Sequence, residues 1–412
     1  MEQRSPEDGT SLDQILHPPA YRPRILHVVL VTTELLGRIS PLMLTPAWLA
    51  LAAIACWPWD DLRIPAAILS LVFLLLDGLE LALLPRVGRS FGPVTPPLLA
   101  LALLRTGINL AAGLASGTHL TLVVVTGVQL IIAAVALYAT WVEPFHVTVT
   151  QAKLSSAKLK SNPASNPSCS VRLLHISDLH VERITSREKE LLDLVRNLDP
   201  DLTVLTGDYL NLSSVRDPVA QAEVRNLLTA LHQGCSGPIY AITGSPPVDL
   251  HDVVPAIFDG ISITWLRDEI TNVEIHGQTM WLVGLSCTSE RSRDAPRLQR
   301  LLAQVPDDGF TVLLYHSPDL MPAAVDLGVD LYLCGHTHGG QLRLPLFGAL
   351  ITSSSFWKRY EMGRYEEKGT TLYVSRGLGM EGLGAPRARF LSPPEVILWT
   401  LSGNDARTRA CS

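Results

Sequence analysis

Six carboxylate and imidazole side chains stand in four short segments, each placed directly after a run of apolar residues. These six are Asp178, His180, Asp208, His316, His336 and His338. The preceding runs, 171–176, 202–205, 311–315 and 331–334, have the composition of buried parallel strands. Open α/β sheets bind ligands just beyond the carboxyl ends of such strands. Two carboxylates and four imidazoles suit two divalent cations of intermediate hardness, a centre that predicts hydrolysis of phosphate esters.

The elements around these segments alternate between strand and helix patterns, which predicts a mostly parallel sheet. Phe145, Val147 and Val149 alternate with polar residues, so the domain is expected to begin at 143 with a half-buried strand. Thr185 and Glu188 have capping-box spacing at the start of a helix through Leu198. Residues 158–170 read as a surface insertion. The remaining predicted elements are strand 202–206, helix 217–232, strand 238–243, a hairpin at 273–275 and 280–285, a helix near 295–305, and strands 371–375 and 395–401.

The stretch 144–402 resembles the calcineurin-like metallophosphoesterase superfamily, in particular its membrane-anchored bacterial branch. The resemblance rests on the ordered set HISDLHVE, LTGDYLN, LLYHSPD, LCGHTHGGQLRLP, LYVSRGLG and PPEVILWTL. A lone DxH or GD is a weak signal, whereas the whole set ending in GHTHGGQ is specific. The resemblance implies an α/β fold, a four-layer α/β/β/α sandwich with two divalent metal ions (Mn, Fe or Zn).

The resemblance also implies a role for each of the six residues. Asp178, His180 and His338 would bind the first metal, and Asp208 would bridge to the second. His316 and His336 would complete the second site. Physically, a bridging carboxylate offsets the repulsion between dications about 3.5–4 Å apart, and the pair lowers the pKa of a shared water to give hydroxide at neutral pH. A buried core histidine is the alternative interpretation for any one of the four histidines, but it does not account for six such residues in this order.

One segment departs from the family pattern. Where the family has Gly-Asn-His followed by Asp or Glu, this chain has Gly244-Ser245-Pro246-Pro247. Ser245 offers only a hydroxyl to the second metal, which is therefore expected to bind weakly. Pro246 occupies the position of the expected acid and has no donor, a loss worth about 10² to 10⁴ in rate. The catalytic acid is thus unassigned, with Asp249 and His251 as weak candidates.

The amino-terminal third has a different composition. Residues 1–22 are polar and acidic and are expected to be disordered. Residues 23–142 are expected to form an all-α transmembrane domain, because four apolar segments approach the roughly 20 residues that cross a bilayer. These segments are 41–58, 64–84, 97–115 and 119–142, and 24–39 adds an interfacial helix or a fifth span. A soluble bundle would show a polar stripe, and 120–141 has none.

The charges flanking these segments predict their orientation. Arg38 precedes the first span, Arg86 and Arg89 lie in the second loop, and lysines follow the last span. With four spans the catalytic domain is cytoplasmic and the protein is a multi-pass protein of the cell membrane. Within the spans, Arg105 is expected to pair with a carboxylate of Asp77 or Glu80, although such charges can also mark transport or lipid sites.

Composition narrows the remaining choices. The net charge of −6 and the lack of a dense basic run argue against nucleic-acid binding. The six cysteines have no metal-site spacing and are expected to be reduced. The sequence leaves two possible functions. The first is a membrane-tethered phosphoesterase that acts on a phosphodiester or an activated phosphate of a lipid or a nucleotide. The second is a catalytically impaired metal-binding protein with a regulatory or scaffolding role. Residues 403–412 are expected to be a tail.

Overall fold

The computed structural model describes residues 32–160, 170–384 and 386–404. The predicted disordered segment 1–22 and most of the tail 403–412 lie outside these residues, as does most of the surface insertion 158–170. The described chain divides into two compact units. One contains the residues up to Glu143 together with Gly382–Ala388, and the other contains Pro144–Glu381 and the residues from Arg389 onward.

The first unit is helical. Residues 32–37 are helical, and four longer helices follow: α1 Thr45–Cys56, α2 Arg63–Leu83, α3 Thr95–Ala115 and α4 His119–Leu137. Within the described residues, three helical stretches are long and apolar enough to cross a membrane, Pro41–Val87, Thr95–Ala115 and His119–Phe145. The first joins two of the four predicted segments, because short 3-10 turns continue the helical path between them. The path bends at Asp60, whose φ of 42° and ψ of −113° are not helical.

A buried ion pair lies inside this helical unit. Arg105 of α3 donates to both carboxylate oxygens of Asp77 of α2, from Nε at 2.7 Å and from Nη2 at 2.8 Å. Its Nη1 donates to the backbone and side-chain oxygens of Gln129 of α4, and its guanidinium lies 4.7 Å from the Phe73 ring centroid. Glu80 instead accepts a hydrogen bond from Thr140. Asp77 is thus the partner of Arg105, and the pair joins three helices through a fully hydrogen-bonded charge.

The second unit contains two six-stranded sheets. The strands of this unit are β1 Thr148–Ser156, β2 Val171–Ile176, β3 Leu202–Leu205, β4 Ile239–Ala241, β5 Thr264–Trp265, β6 Glu269–Ile275, β7 Gln278–Gly284, β8 Phe310–Leu314, β9 Leu331–Cys334, β10 Arg343–Leu344, β11 Gly348–Ala349, β12 Gly363–Glu367, β13 Thr370–Val374 and β14 Glu395–Gly403. The first sheet has the order β1, β14, β2, β3, β4, β5 and the second the order β12, β13, β9, β8, β7, β6. Both sheets have a parallel centre, with β2, β3, β4 and β5 parallel in the first and β7, β8, β9 and β13 parallel in the second.

The two sheets pack face to face around one apolar core. Leu173, Val204 and Trp399 of the first sheet share a buried cluster with Leu282 and Val312 of the second. The helices of this unit are α5 Ser186–Leu198, α6 Pro218–Gly234, α7 Val254–Phe258, α8 Arg291–Leu302 and α9 Met321–Asp326. Helices α8 and α9 cover the outer face of the second sheet, and α5 and α6 each bury an apolar face as well. The predicted sandwich of two sheets between helices is confirmed.

The ion pair of the helical unit generates a stability prediction. Replacing Asp77 by Leu leaves Arg105 buried without its carboxylate and should lower the free energy of unfolding by about 3–5 kcal/mol. Adding Arg105→Met should recover most of this loss, because the unpaired charge is then removed. Thermal unfolding of the full chain in detergent measures both. Additive losses in the double variant would show that the two side chains do not depend on each other.

Candidate metal centre

The six predicted ligands follow the carboxyl ends of four central strands. Asp178 and His180 come after β2, Asp208 after β3, His316 after β8, and His336 with His338 after β9. Since β2 and β3 are parallel neighbours in one sheet and β8 and β9 in the other, these ends meet at one edge of the sandwich. The two sheets therefore contribute the ligands jointly, and residues far apart in the chain come into contact.

Asp178, His180 and His338 form the first group. Their ligand atoms all lie within 4.8 Å of one another, and all three residues are buried. His180 Nε2 lies 3.0 Å from His338 Nε2, and His338 Nε2 lies 3.7 Å from an Asp178 carboxylate oxygen. One carboxylate and two imidazoles thus surround a common point in the buried interior of the protein.

Asp208, His316 and His336 form the second group, with the same mutual spacing. His316 Nε2 lies 3.1 Å from Asp208 Oδ2 and 3.2 Å from His336 Nδ1. Asp208 Oδ2 also lies 3.5 Å from His180 Nε2 of the first group. The Asp208 carboxylate is therefore placed between the two groups, which is the place a bridging ligand needs.

Backbone carbonyls fix the orientation of two of the histidine rings. His180 Nδ1 lies 3.2 Å from the Leu210 carbonyl oxygen, and His316 Nδ1 lies 2.8 Å from the Thr206 carbonyl oxygen. A carbonyl can only accept, so each Nδ1 carries a proton, and Nε2 is the nitrogen of each ring that can bind a metal. Pairs of ring nitrogens about 3 Å apart, facing carboxylates, make a donor set that fits divalent cations well.

The backbone is strained at most of these positions. Asp178, His180, Asp208, His336 and His338 all have φ between 41° and 73°, a region that costs a side-chain-bearing residue about 1–2 kcal/mol. Such strain persists where the surroundings enforce it and gathers at functional sites. Close approach is enforced as well: a Cβ on Gly335 would lie 1.9 Å from Asp178 Oδ2. The loops thus hold their side chains inward at a cost in conformational energy.

Burial and the charges of neighbouring residues shift the pKa values of these groups in different directions. Burial raises the pKa of Asp178 above its ordinary value, against the opposing charge of His316. Burial acts the same way on Asp208, but the charge and hydrogen bond of His316 bring the pKa of Asp208 below its ordinary value. Burial disfavours the charged form of His316, yet Asp208 holds the pKa of His316 well above its ordinary value. Burial and the neighbouring His180 lower the pKa of His338. Asp208 is therefore the anionic centre of the cluster.

Ser245 lies among the ligands of the second group. Its Oγ is 3.2 Å from Asp208 Oδ2, 3.1 Å from His316 Nε2 and 3.3 Å from His336 Nδ1. Its backbone N–H donates to Asp208 Oδ1 at 2.6 Å. The hydroxyl thus lies close to all three members of this group, where it would be a weak fourth ligand of a bound metal. Pro246 is exposed next to it and has no side-chain donor.

The weak acid candidates lie elsewhere. The Asp249 carboxylate accepts backbone N–H bonds from Asp208 at 2.8 Å, Tyr209 at 3.0 Å and Gly244 at 2.7 Å. Burial and the nearby Asp208 raise the pKa of Asp249 to about 7. His251 is exposed on the following turn. Among the described residues, neither contributes an atom to a group of possible metal ligands. Asp249 instead supports the loops that hold Asp208 and Ser245.

Two further residues at the centre were not predicted. Glu381 has a carboxylate oxygen 3.9 Å from His180 Nε2 and forms a third possible group with His180 and Asp208. Arg389 is fully buried, and its guanidinium donates to carbonyls that include Gly379 and Ser392. Gly379 in turn donates its N–H to the Asp178 carbonyl at 2.7 Å. The run LYVSRGLG was the sequence signal for this loop, but no role followed from its composition.

Comparison with known proteins agrees with this geometry. Residues 171–340 match the family model of the calcineurin-like phosphoesterases. The chain therefore contains a domain of this family. Its members use divalent metals, and the two groups around Asp208 are where this chain can bind them. The assignment of each side chain to a particular metal remains a prediction.

Curated relatives cover the same part of the chain. An uncharacterized metallophosphoesterase of Bacillus subtilis, YkuE, is 27% identical over 282 residues, which cover 65% of this chain and 90% of the relative. The UDP-2,3-diacylglucosamine pyrophosphatase LpxG of Chlamydia trachomatis is 27% identical over 278 residues, covering 55% and 82%. The phosphodiesterase YaeI of Escherichia coli is 29% identical over 238 residues, covering 56% and 82%.

The unequal donor sets predict unequal metal affinities. Asp178, His180, His338 and Asp208 offer four strong donors, whereas the second group has the Ser245 hydroxyl as its fourth. The purified protein should retain one metal per chain after dialysis against a mild chelator and lose the other. Ser245→Asn should raise retention toward two, because a carboxamide oxygen is a better ligand. Elemental analysis gives the counts, with Ser213→Asn as a matched control. Two firmly held metals in the unsubstituted protein would contradict this.

Proposed function

We propose that this protein is a membrane-tethered, metal-dependent phosphoesterase that hydrolyses a phosphodiester or an activated phosphate. The observation that carries the proposal is the convergence of six candidate ligands, five buried and His336 half-buried, in two groups with Asp208 between them. When bound, two divalent cations supply a water nucleophile of lowered pKa and polarise the phosphoryl group. We propose residues 143–402 as the catalytic domain, with Asp178, His180, Asp208, His316, His336 and His338 as the ligands.

Three features of the chain determine how the site holds the metals and where protons can be transferred. His180 and His316 are fixed in the ligand tautomer by the carbonyls of Leu210 and Thr206, so their protons stay on Nδ1 throughout the reaction. Asp249 keeps the loops of Asp208 and Ser245 in place through its three backbone N–H bonds. With a proline at 246, the loop supplies no proton to the departing oxygen. The reaction is therefore expected to favour leaving groups that depart as anions.

The relatives support a lipid-linked or nucleotide substrate. LpxG is named as a pyrophosphatase of UDP-2,3-diacylglucosamine, and YaeI as a phosphodiesterase. A pyrophosphate releases a phosphate of low pKa, which needs little help from an acid. A substrate of this class would suit a chain with Ser245 and Pro246 better than an ordinary alkyl diester. We propose no nucleic-acid partner, since the net charge is −6.

The tether is proposed from the helical unit. In the described part of the chain, three helical stretches are apolar enough to span a membrane, and the bend at Asp60 divides the first into two arms. We propose four spans, with the exposed Asp60 and Asp61 in the turn between the first two. Arg86, Arg89 and the lysines that follow the last span then lie on the cytoplasmic side together with the catalytic domain.

A second function is favoured by one observation, the loss of both the ligand at 245 and the donor at 246. A protein that binds metal without turnover could use the fold for regulation or scaffolding at the membrane. Turnover separates the two functions. Hydrolysis of a nitrophenyl phosphodiester with added Mn²⁺ that is abolished by Asp208→Asn supports the enzyme, with the exposed Asp193→Asn as a neutral control. Equal rates for Asp208→Asn and the unsubstituted protein would support the metal-binding alternative.

The loop at 244–247 generates a prediction about the leaving group. The rate should fall steeply as the leaving group's pKa rises, because no fixed donor bears its developing charge. The triple change Ser245→Asn, Pro246→His and Pro247→Asp should raise turnover of alkyl phosphodiesters by about 10² or more and that of nitrophenyl esters little. Steady-state rates over a series of esters measure the slope, and metal content is checked alongside. Similar rates for alkyl and nitrophenyl esters in the unsubstituted protein would show that another acid is in place.

A further inference from the structure

The exposed apolar surface of the second unit is concentrated on one segment. In its described residues eight large apolar side chains are exposed, and six of them lie between Leu344 and Trp357. These six are Leu344, Leu346, Phe347, Leu350, Ile351 and Trp357. The segment contains the short hairpin of β10 and β11 and continues to Trp357, and we call it the apolar hairpin. Concentrated exposed apolar surface marks an interaction site, since single exposed residues elsewhere are ordinary.

The tip of the apolar hairpin is held in a costly conformation. Leu346 has φ of 65° and a relative exposure of 110%. A side chain in this region costs about 1–2 kcal/mol, and a glycine would avoid the cost. Leu346 gains no burial in return within the described residues. Strain and exposure together therefore point to a contact outside the described residues.

The base of the hairpin is tied to the metal centre. Arg343 donates to the Gly339 carbonyl at 2.7 Å and to Glu361 at 2.8 Å. Ser353 Oγ donates to the His336 carbonyl at 2.6 Å. These bonds fix the hairpin to the loop that carries the ligands His336 and His338. Whatever the tip binds is consequently held near the catalytic groups.

Charge identifies the class of partner. Of the three basic residues within 343–360, Arg343 pairs with Glu361 and Arg359 with Glu367, which leaves Lys358 as the cation without a carboxylate partner among the described residues. Lys358 Nζ donates to the Phe347 carbonyl at 2.6 Å and lies 3.2 Å from the Phe347 ring centroid. An aliphatic and aromatic tip with this cation just behind it matches a bilayer, where acyl chains lie beneath phosphate headgroups.

We propose that the apolar hairpin inserts into the surface of a lipid bilayer, with Leu346 and Phe347 among the acyl chains and Lys358 at the headgroups. The metal centre would then act on phosphate groups that project from the bilayer, so the substrate class is an amphiphile with a phosphoester headgroup. This inference rests on the proposed membrane tether, which keeps a bilayer within reach of the hairpin. A shallow insertion of about 5–10 Å is expected for such an element.

Depth-dependent quenching of a fluorophore on the full-length chain in lipid nanodiscs tests the proposal. Leu346→Cys carries an environment-sensitive label, and lipids bear a quencher either near the top or near the end of the acyl chain. Val219→Cys is a matched control, since Val219 is the exposed apolar residue of α6 in the same unit. Ile131→Cys reports on the tether, because Ile131 is exposed in the middle of α4. The labelled unsubstituted chain gives the signal of the native cysteines, which is subtracted.

The label at 346 is expected to be quenched more strongly by the shallow quencher than by the deep one, and the label at 219 by neither. Quenching at 131 with none at 346 would overturn the role of the hairpin and leave the tether intact. A blue shift at 346 without lipid quenching would assign the hairpin to a protein surface and likewise overturn it. No quenching at 131 would overturn the tether, and with it the inference. Phe347→Cys repeats the test should Leu346→Cys fail to fold.

Discussion

The negative charge of Asp208, buried between two groups of imidazoles, is the interaction on which the site depends. Its carboxylate lies 3.1 Å from His316 and 3.5 Å from His180, one from each group. A buried carboxylate is unfavourable unless cations or donors compensate it. In the metal-free protein, the charge of His316 and the N–H and O–H donors of Ser245 compensate it, and bound cations would take over this role. The left-handed backbone at Asp208 and four other ligand positions is the structural cost of this arrangement.

Two buried side chains stabilise the loops around the site in this strained conformation. Asp249 accepts three backbone N–H bonds from the two loops that carry Asp208 and Ser245. On the opposite side, Arg389 holds the loop whose Gly379 donates to Asp178. Neither side chain joins the described groups of possible ligands, yet each fixes segments that do. Ser245 and Pro246, which stand where the resemblance implies Asn and His, are thus carried on a loop that Asp249 supports.

Sequence patterns predicted the elements well where the signal is local. The strands 171–176 and 331–334 and the capping box at Thr185 have the predicted bounds, because apolar runs and cap residues act over a few residues. The same patterns could not find Glu381 or Arg389, which reach the site through loop packing between distant segments. The sequence patterns also predicted 41–58 and 64–84 as separate apolar helices. In the structure short 3-10 turns join these two segments into one helical stretch. The sequence patterns also could not predict that Leu346 and Phe347 are exposed, since apolar composition alone does not distinguish a core residue from a surface residue.

Crystals of the protein soaked in Mn²⁺ and measured for anomalous scattering test the central claim most directly. The account predicts two peaks about 3.5–4 Å apart, one beside Asp178, His180 and His338 and a weaker one beside His316 and His336, with Asp208 touching both. In an Asp208→Asn variant the second peak should vanish. A single metal midway between the groups, or metal that binds without contact to Asp208, would contradict the account.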